Sequence, residues 1–367
     1  MSLNAYDALT DDCSRFVRVD ELVRLATGAG KLPDPAADDG VMLKEKKRLE
    51  LAQGAFLAEI LDDPVRGTHL CHAMLLPKPD SAEAAKQYAS TGDLKLPGAH
   101  LQRRGRASIL TMGNPRYLNA EDEGTLPGME TAVDVALLDP VTEVCVLRGA
   151  PVEHRKYAGQ RLFGAGINLT HLYEGRIRYL WYLIRDLGFV NKLYRGLALE
   201  DASPETKSIE KLWIAVVEGF AIGGHCQILL TMDYTLAAKG AYLTLPARKE
   251  GIIPGAANLR LPRFAGNRVA RQAILAERRI ECDSPEGRLI CDEITSGESM
   301  DESIQRMVER LTSSGVVSAA GNRRAFRAGE EPLDMFRRYM AVYAREQARC
   351  HFSPALISNL EKNWKQR

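Results

Sequence analysis

The residues in this chain best suited to chemistry lie in two short glycine-containing turns. Gly223-Gly224 leads into His225-Cys226-Gln227-Ile228-Leu229-Leu230, an apolar run that reads as the first turns of a packed helix. Glycine lets another group approach the backbone closely. The first N–H groups of a helix lack an intrahelical acceptor and carry the positive end of its dipole. Such a spot suits a developing negative charge. The second turn, Gly164-Ala165-Gly166, follows His154-Arg155-Lys156-Tyr157, whose charges and ring suit an adenosine phosphate and its base. A solvated basic loop is the plainer reading of that segment. A dinucleotide-binding reading of Gly164-Ala165-Gly166 fails, because the third small residue of that pattern falls at Leu169 and no acid stands where a ribose contact is expected.

These turns need elements to hold them. Trp213–Val217 is short and β-branched enough to be a buried strand, turning at Gly219 toward the glycine pair. The chain returns through strand-like Tyr234–Ala238 and Tyr242–Leu245 to Ile252-Ile253-Pro254-Gly255. Upstream, Ala107–Met112 is the first clear strand and Glu143–Arg148 the next, with a helix between them. This alternation argues for a layered α/β domain. Thr170–Gly188 and Asn258–Ala276 are each expected as one helix. Residues 1–78 read as a helical domain, including a helix from Met42 to Leu61 whose Lys44–Arg48 run is a solvated face or, alternatively, a basic contact for a phosphorylated ligand. Residues 79–280 form the core that carries the site, with Pro77–Gly98 as a polar connector. Residues 281–367 are a helical region ending in an amphipathic tail, Pro332–Lys365.

The composition sets bounds. A chain of 367 residues can bury a sizeable core, and 45% hydrophobic with 26% charged residues is ordinary for a globular protein. A net charge of +1 provides no general attraction to nucleic acid or to a membrane surface. No apolar run approaches the ~18 residues that span a bilayer, and no signal peptide is recognisable. The 7 scattered cysteines read as reduced thiols, so a cytoplasmic protein is expected. His69, Cys71 and His72 are close together, but no second cluster completes a metal site.

Three motifs, in this order and spacing, resemble the crotonase (enoyl-CoA hydratase/isomerase) superfamily. They are Phe163-Gly164-Ala165-Gly166-Ile167-Asn168-Leu169, then Val217-Glu218-Gly219-Phe220-Ala221-Ile222-Gly223-Gly224 with Asp233, then Leu245-Pro246 with Gly251-Ile252-Ile253-Pro254-Gly255. Within it the chain is most similar to the metal-free and cofactor-free dioxygenases that act on 3,5-dihydroxyphenylacetyl-CoA in glycopeptide-antibiotic pathways. The resemblance implies an α/β, crotonase-like ββα spiral core with an added N-terminal helical domain and C-terminal helices over the site. It implies a homotrimer or dimer of trimers. The substrates would be an arylacetyl-CoA and dioxygen, with CoA present only as part of the substrate, and neither cofactor nor metal. The N–H groups of Ile167 and Gly224 would bind the thioester oxygen. Substrate contacts would come from Glu121, from His154, Arg155, Lys156 and Tyr157, from Ala165, Gly166, Asn168 and Leu169, and from Gly223, Ile252 and Pro254. Arg185 would contact dioxygen.

The departures from the family pattern bear on the chemistry. Hydratases carry glutamates at the positions that here hold Gln227 and Ala247, so water addition loses both its acid/base groups. Glu250, three residues on, is a displaced base or a solvent-facing acid. What remains is an oxyanion site in an apolar pocket that can hold an enolate, admit dioxygen and exclude water. The expected activity is cofactor-independent dioxygenation of 3,5-dihydroxyphenylacetyl-CoA to the arylglyoxylate and free CoA. The alternatives are an acyl-CoA hydrolase, isomerase or decarboxylase on the same site, or a non-catalytic assembly protein of the same fold.

Overall fold

Short β-branched runs in the middle of the chain assemble side by side as the parallel part of one sheet. The computed structural model describes residues 2–296, 299–313 and 315–364; Lys365 of the expected tail lies outside them. In chain order the strands are β1 (Asp93–Leu96), β2 (Ala99–Arg104), β3 (Ala107–Met112), β4 (Val144–Gly149), β5 (Leu197–Ala198) and β6 (Ser208–Ile209). They continue with β7 (Leu212–Val217), β8 (Phe220–Ile222), β9 (Tyr234–Ala238), β10 (Tyr242–Thr244), β11 (Ile280–Glu281) and β12 (Glu293–Thr295). The main sheet runs β1-β2-β3-β4-β7-β9-β12, antiparallel up to β3 and parallel beyond it. β7, the middle strand of the parallel part, is buried on both faces, as parallel strands require. Trp213, Ala215 and Val217 join the large core, while Ile214 and Val216 pack with Met300, Ile304 and Met307 of a covering helix, Met300–Thr312.

A second, smaller sheet carries the site. β8 lies parallel to β10, which pairs antiparallel with β11. The Gly164–Ile167 loop extends this sheet by single bridges, Gly164 to Ala221 and Ile167 to Glu121.

Helices α1 (Ser2–Thr10), α2 (Val19–Gly28), α3 (Leu51–Asp62), α4 (Pro64–Leu75) and α5 (Ser81–Thr91) precede the sheet. The C-terminal helix Leu333–His351 packs along α3 so closely that a side chain at Gly54 would meet Ala348 Cβ at 2.4 Å. The His69–His72 cluster is structurally engaged: the Tyr6 hydroxyl bonds His69 Nδ1 at 2.7 Å, and His72 Nε2 bonds the Leu199 carbonyl at 2.8 Å.

Several expected elements differ. The sheet begins at β1 rather than at Ala107, and the connector before it contains α5. The helix expected from Met42 to Leu61 starts only at α3, because Arg48 takes a left-handed φ of 60°. In the basic run Lys46 is buried, not solvated, with its Nζ 3.0 Å from Glu50. The single helix expected over Thr170–Gly188 is broken into Leu169–Tyr173 and Leu180–Ile184, and the second runs on past Gly188 into Val190–Arg195. Gly175 breaks it at φ 73°, where a Cβ would lie 2.1 Å from the Val41 carbonyl oxygen, and Arg185–Phe189 forms a π-turn. Single π-turns within helices recur at functional sites. Beyond residue 280, β12 still belongs to the main sheet.

The C-terminal helices are anchored by buried Glu331, which accepts from Arg260 (2.9 and 3.0 Å), Arg195 (3.1 Å) and Arg263 (2.7 Å). Burial by itself would raise this carboxyl, but Arg260, Arg195 and Arg263 outweigh it and lower it from 4.5 to about 2. A folded-state value below the unfolded one contributes stability that is complete above about pH 4.5 and lost as pH falls toward 2. Glu331→Ala, which strands the buried guanidinium groups of Arg195 and Arg260, is expected to lower unfolding free energy by about 3–5 kcal/mol at pH 7. Urea titrations of both proteins should converge as pH falls through that window.

Candidate active site

The Gly164–Ile167 loop is held almost entirely by backbone bonds. Gly164 N–H donates to the Phe220 carbonyl at 3.2 Å and its own carbonyl accepts from Ile222 N–H at 3.0 Å. Glu121 N–H donates to the Gly166 carbonyl at 2.7 Å, and Asn168 N–H donates to the Glu121 carbonyl at 2.8 Å. Across from it, Gly223 at φ 55° turns the chain from β8 into the short helix Gly224–Leu229. Gly166, at φ 78°, has no room for a side chain: a Cβ there would lie 2.9 Å from the Ile222 carbonyl oxygen and 3.2 Å from Gly224 N. Among the described residues neither the Ile167 nor the Gly224 N–H has an acceptor. Both residues line one cavity. Two unpaired backbone donors on one cavity wall are what an oxyanion requires.

Behind these donors lies a buried charge cluster centred on Arg185. A guanidinium has five N–H donors, and each is used here. Nε and Nη2 grip the Glu121 carboxylate at 2.8–3.1 Å, and Nη1 reaches Asp186 and the Gln227 Oε1 at 2.9 Å each. The remaining Nη2 donor goes to the Gly224 carbonyl at 2.9 Å. Burial raises the Asp186 carboxyl, with Arg185 opposing. The cluster explains two glycines. A Cβ on Gly224 would lie 2.6 Å from Glu121 Oε2, and one on Gly255 would lie 2.2 Å from Gln227 Oε1.

The cavity also has Ile252, Ile253, Trp181, Tyr182 and Tyr343 in its walls. It offers about 30 Å³ to water-sized molecules, room for one or two of them. Its roof is the helix Leu333–His351. From that helix the Tyr339 hydroxyl donates to the Gly255 carbonyl, and Gln347 Oε1 accepts from Ile253 N–H at 2.9 Å.

The structure brings together many of the residues singled out in the sequence and leaves others apart. Ile167, Gly224, Gln227, Glu121, Arg185 and Ile252 line the cavity; Gly166 and Gly223 shape its backbone. Ala165 and half-buried Tyr157 lie on an adjoining apolar patch with Phe220 and Ile222, and Lys156 Nζ sits 5.0 Å above the Tyr157 ring. His154, Arg155 and Lys156 are exposed beside it. Asn168 caps a helix through His171 N–H and binds Asp122, Leu169 packs on the core, and the Pro254 carbonyl accepts from Ala257 N–H. None of these three is in the cavity wall. Glu250 is outside the wall as well, and burial raises its carboxyl to about 7. Asp186, Tyr343 and His225 had no motif to mark them. Tyr339, Tyr343 and Gln347 do recur every fourth residue, and that spacing places them on one helix face.

Residues 104–341 match the sequence profile of the family described as enoyl-CoA hydratase/isomerase. The chain belongs to that family. It is 46% identical over 349 residues to (3,5-dihydroxyphenyl)acetyl-CoA 1,2-dioxygenase of Amycolatopsis orientalis, covering 94% of this chain and 80% of that protein. Similarity to the short-chain-enoyl-CoA hydratase of Clostridium acetobutylicum is lower, 25% over 238 residues, or 64% of this chain and 83% of that one. An enoyl-CoA hydratase structure from Mycobacterium avium subsp. paratuberculosis K-10 superposes with a TM-score of 0.60 at 19% identity, covering 73% of this chain and 99% of that one. The expected crotonase-like α/β core is therefore present, with helical segments before and after it.

If the Gly224 N–H binds the reacting oxygen, Gly224→Pro should lower turnover by about 10²–10³-fold, the usual loss for one oxyanion donor. Proline is tolerated in a first helical turn, but its β-carbon would meet Glu121 Oε2 at 2.6 Å. Gly224→Ala, which adds the same β-carbon and keeps the N–H, is therefore the control, and circular dichroism checks the fold of both variants. A folded proline variant with near-normal turnover would remove Gly224 from the site.

Proposed function

We propose that this enoyl-CoA hydratase/isomerase-family chain is a dioxygenase that converts 3,5-dihydroxyphenylacetyl-CoA and O2 to 3,5-dihydroxyphenylglyoxylate and free CoA. The observation that carries the assignment is the 46% identity to the Amycolatopsis dioxygenase across 94% of the chain. The site supports it. In this reading the thioester oxygen sits on the Ile167 and Gly224 N–H groups, and Gln227 stands where a hydratase would need a carboxylate.

The chemistry balances without a further reactant. The α-carbon is both benzylic and next to a thioester, so its proton is unusually acidic, and the charge left behind moves to the thioester oxygen. The enolate reduces O2 and forms a C–O bond at the α-carbon. The outer peroxide oxygen then attacks the thioester carbonyl and expels CoA thiolate. Cleavage of the O–O bond, with loss of the second α-hydrogen as a proton, leaves a ketone and a carboxylate. Because the substrate supplies the electrons, we propose that neither metal nor flavin takes part.

The residues take the following roles in this reading. Glu121, Gly166, Gly223 and Ile252 contact the acyl group, and His154, Arg155, Lys156 and Tyr157 contact the CoA moiety beside Ala165. Asn168, Leu169 and Pro254 act by holding the loops. Arg185 has no uncommitted donor, so its effect on dioxygen would be through charge and through its grip on Glu121 and Gln227. Assembly as a trimer or a dimer of trimers is part of the proposal and is checked by analytical ultracentrifugation. No helix among the described residues is long and apolar enough to cross a membrane.

The direct test is oxygen uptake by chelator-treated protein given 3,5-dihydroxyphenylacetyl-CoA, with free thiol measured in parallel. One O2 consumed per CoA released is expected. CoA release without oxygen uptake would make the protein a hydrolase, and activity that is lost on chelation and restored by iron or copper would end the metal-free reading.

Gln227→Glu tests the pocket itself. The substitution sets a third carboxylate, after Glu121 and Asp186, around one guanidinium in a buried site, where an extra charge is costly and repels an enolate. Oxygen incorporation is expected to fall while thioester hydrolysis rises relative to it. Full oxygen coupling in Gln227→Glu would reduce Gln227 to a packing residue.

A further inference from the structure

We propose that His225 is a positioning residue for the thioester oxyanion: its Nδ1 holds the Gly166 N–H and so aims the neighbouring Ile167 N–H. The inference rests on the oxyanion reading of Ile167 and Gly224 given above.

The geometry runs through two peptide planes that meet at the Gly166 Cα: the His225 bond holds the 165–166 plane, and the Glu121 bond holds the 166–167 plane that carries the Ile167 N–H. Gly166 N–H donates to His225 Nδ1 at 3.0 Å, and the Gly166 carbonyl accepts from Glu121 N–H at 2.7 Å. Residue 166 is thus tied at both its polar groups. In a planar trans peptide the N–H of the next residue points opposite the carbonyl. With the Gly166 carbonyl turned toward Glu121, the Ile167 N–H is directed away from it. Glycine has the widest backbone freedom of any residue type, and among the described residues His225 Nδ1 is the only acceptor for the Gly166 N–H.

The imidazole is built into its place. His225 is fully buried, and a Cβ at Gly164 would lie within 2.3 Å of its ring, so the absence of a side chain at Gly164 makes the seat for it. The edge of the Phe163 ring meets it at right angles, 5.9 Å between centroids. To accept at Nδ1 the ring must be neutral with its proton on Nε2. Burial, with Arg185 adding to it and Glu121 opposing, lowers the group to about 4, so it is neutral at ordinary pH. His225 is also the residue after Gly224. One helix start therefore presents one oxyanion donor from its backbone and sets the second through the next side chain, which couples the spacing of the two.

Two variants separate this role from simple packing. His225→Phe keeps the ring volume against Gly164 but removes the acceptor. His225→Asn loses volume but places Oδ1 close to where Nδ1 was. Stability should fall in the order wild type, Phe, Asn, and activity in the order wild type, Asn, Phe. The Phe variant is expected to lose about 10–100-fold in turnover, the scale of a small misplacement of a reacting group, with a change in KM of only a few fold. Without oxygen, the carbonyl stretch of bound 3,5-dihydroxyphenylacetyl-CoA should shift to low frequency in wild type and Asn, and shift less in Phe. In wild type labelled with 15N-histidine, the His225 Nδ1 should be unprotonated. Activity that tracks stability, an unchanged carbonyl shift in the Phe variant, or a proton on Nδ1 would each overturn the proposal. No carbonyl shift in wild type would instead remove the oxyanion reading of Ile167 and Gly224, and this inference with it.

Discussion

A guanidinium taken out of water is tolerated only if its donors find acceptors, and Arg185, 3% exposed, finds one for every N–H. Its four partners come from three places in the chain: Glu121, the neighbouring Asp186, and the helix that supplies both the Gly224 carbonyl and Gln227. Each also borders the cavity, so satisfying one buried cation fixes much of the site wall. The requirement propagates to residues with no side chain at all. Gly224 and Gly255 are glycine because a β-carbon would fall on the carboxylate or amide oxygens that serve this cation. The π-turn at Arg185–Phe189 begins at the same residue.

The second constraint is enclosure. The cavity is closed by the helix Leu333–His351, whose Tyr339 and Gln347 bind the Ile253–Gly255 backbone directly. That helix lies against α3 from the start of the chain and is preceded by Glu331, buried among arginines from two other helices. Residues from both ends of the sequence therefore help close a pocket whose chemistry lies in the middle. A dry site strengthens every electrostatic contact within it. It also requires the apolar ring and aliphatic wall formed by Tyr343, Ile252 and Ile253.

Much of this was legible in the sequence. The buried strand Trp213–Val217, the turn at Gly219 and the glycine pair ahead of a short helix all follow from local rules about burial and backbone freedom. The Gly166-Ile167 and Gly223-Gly224 motifs marked the two donors. Helix continuity was less legible. The break at Gly175 and the late start of α3 arise from contacts with Val41 and from the left-handed turn at Arg48, which apolar periodicity does not register. Lys46 reads as part of a solvated charge run because nothing local reveals that its partner Glu50 is buried and accepts from the Tyr179 backbone N–H.

Local sequence accounts for the strand–helix alternation of the core and for the glycine turns beside the unpaired N–H groups of Ile167 and Gly224, though not for every helix boundary. Those properties depend on residues a few positions apart. Only the tertiary structure decided which side chains surround these donors. Asp186, Tyr343 and His225 lie outside the family motifs, and they reach the site because the π-turn, the C-terminal helix and the helix after β8 converge on the Gly164–Ile167 loop. The physical reason is that burial and charge pairing depend on three-dimensional neighbours. A histidine becomes a neutral hydrogen-bond acceptor, and an arginine a structural hub, only when distant segments of the chain exclude water from them.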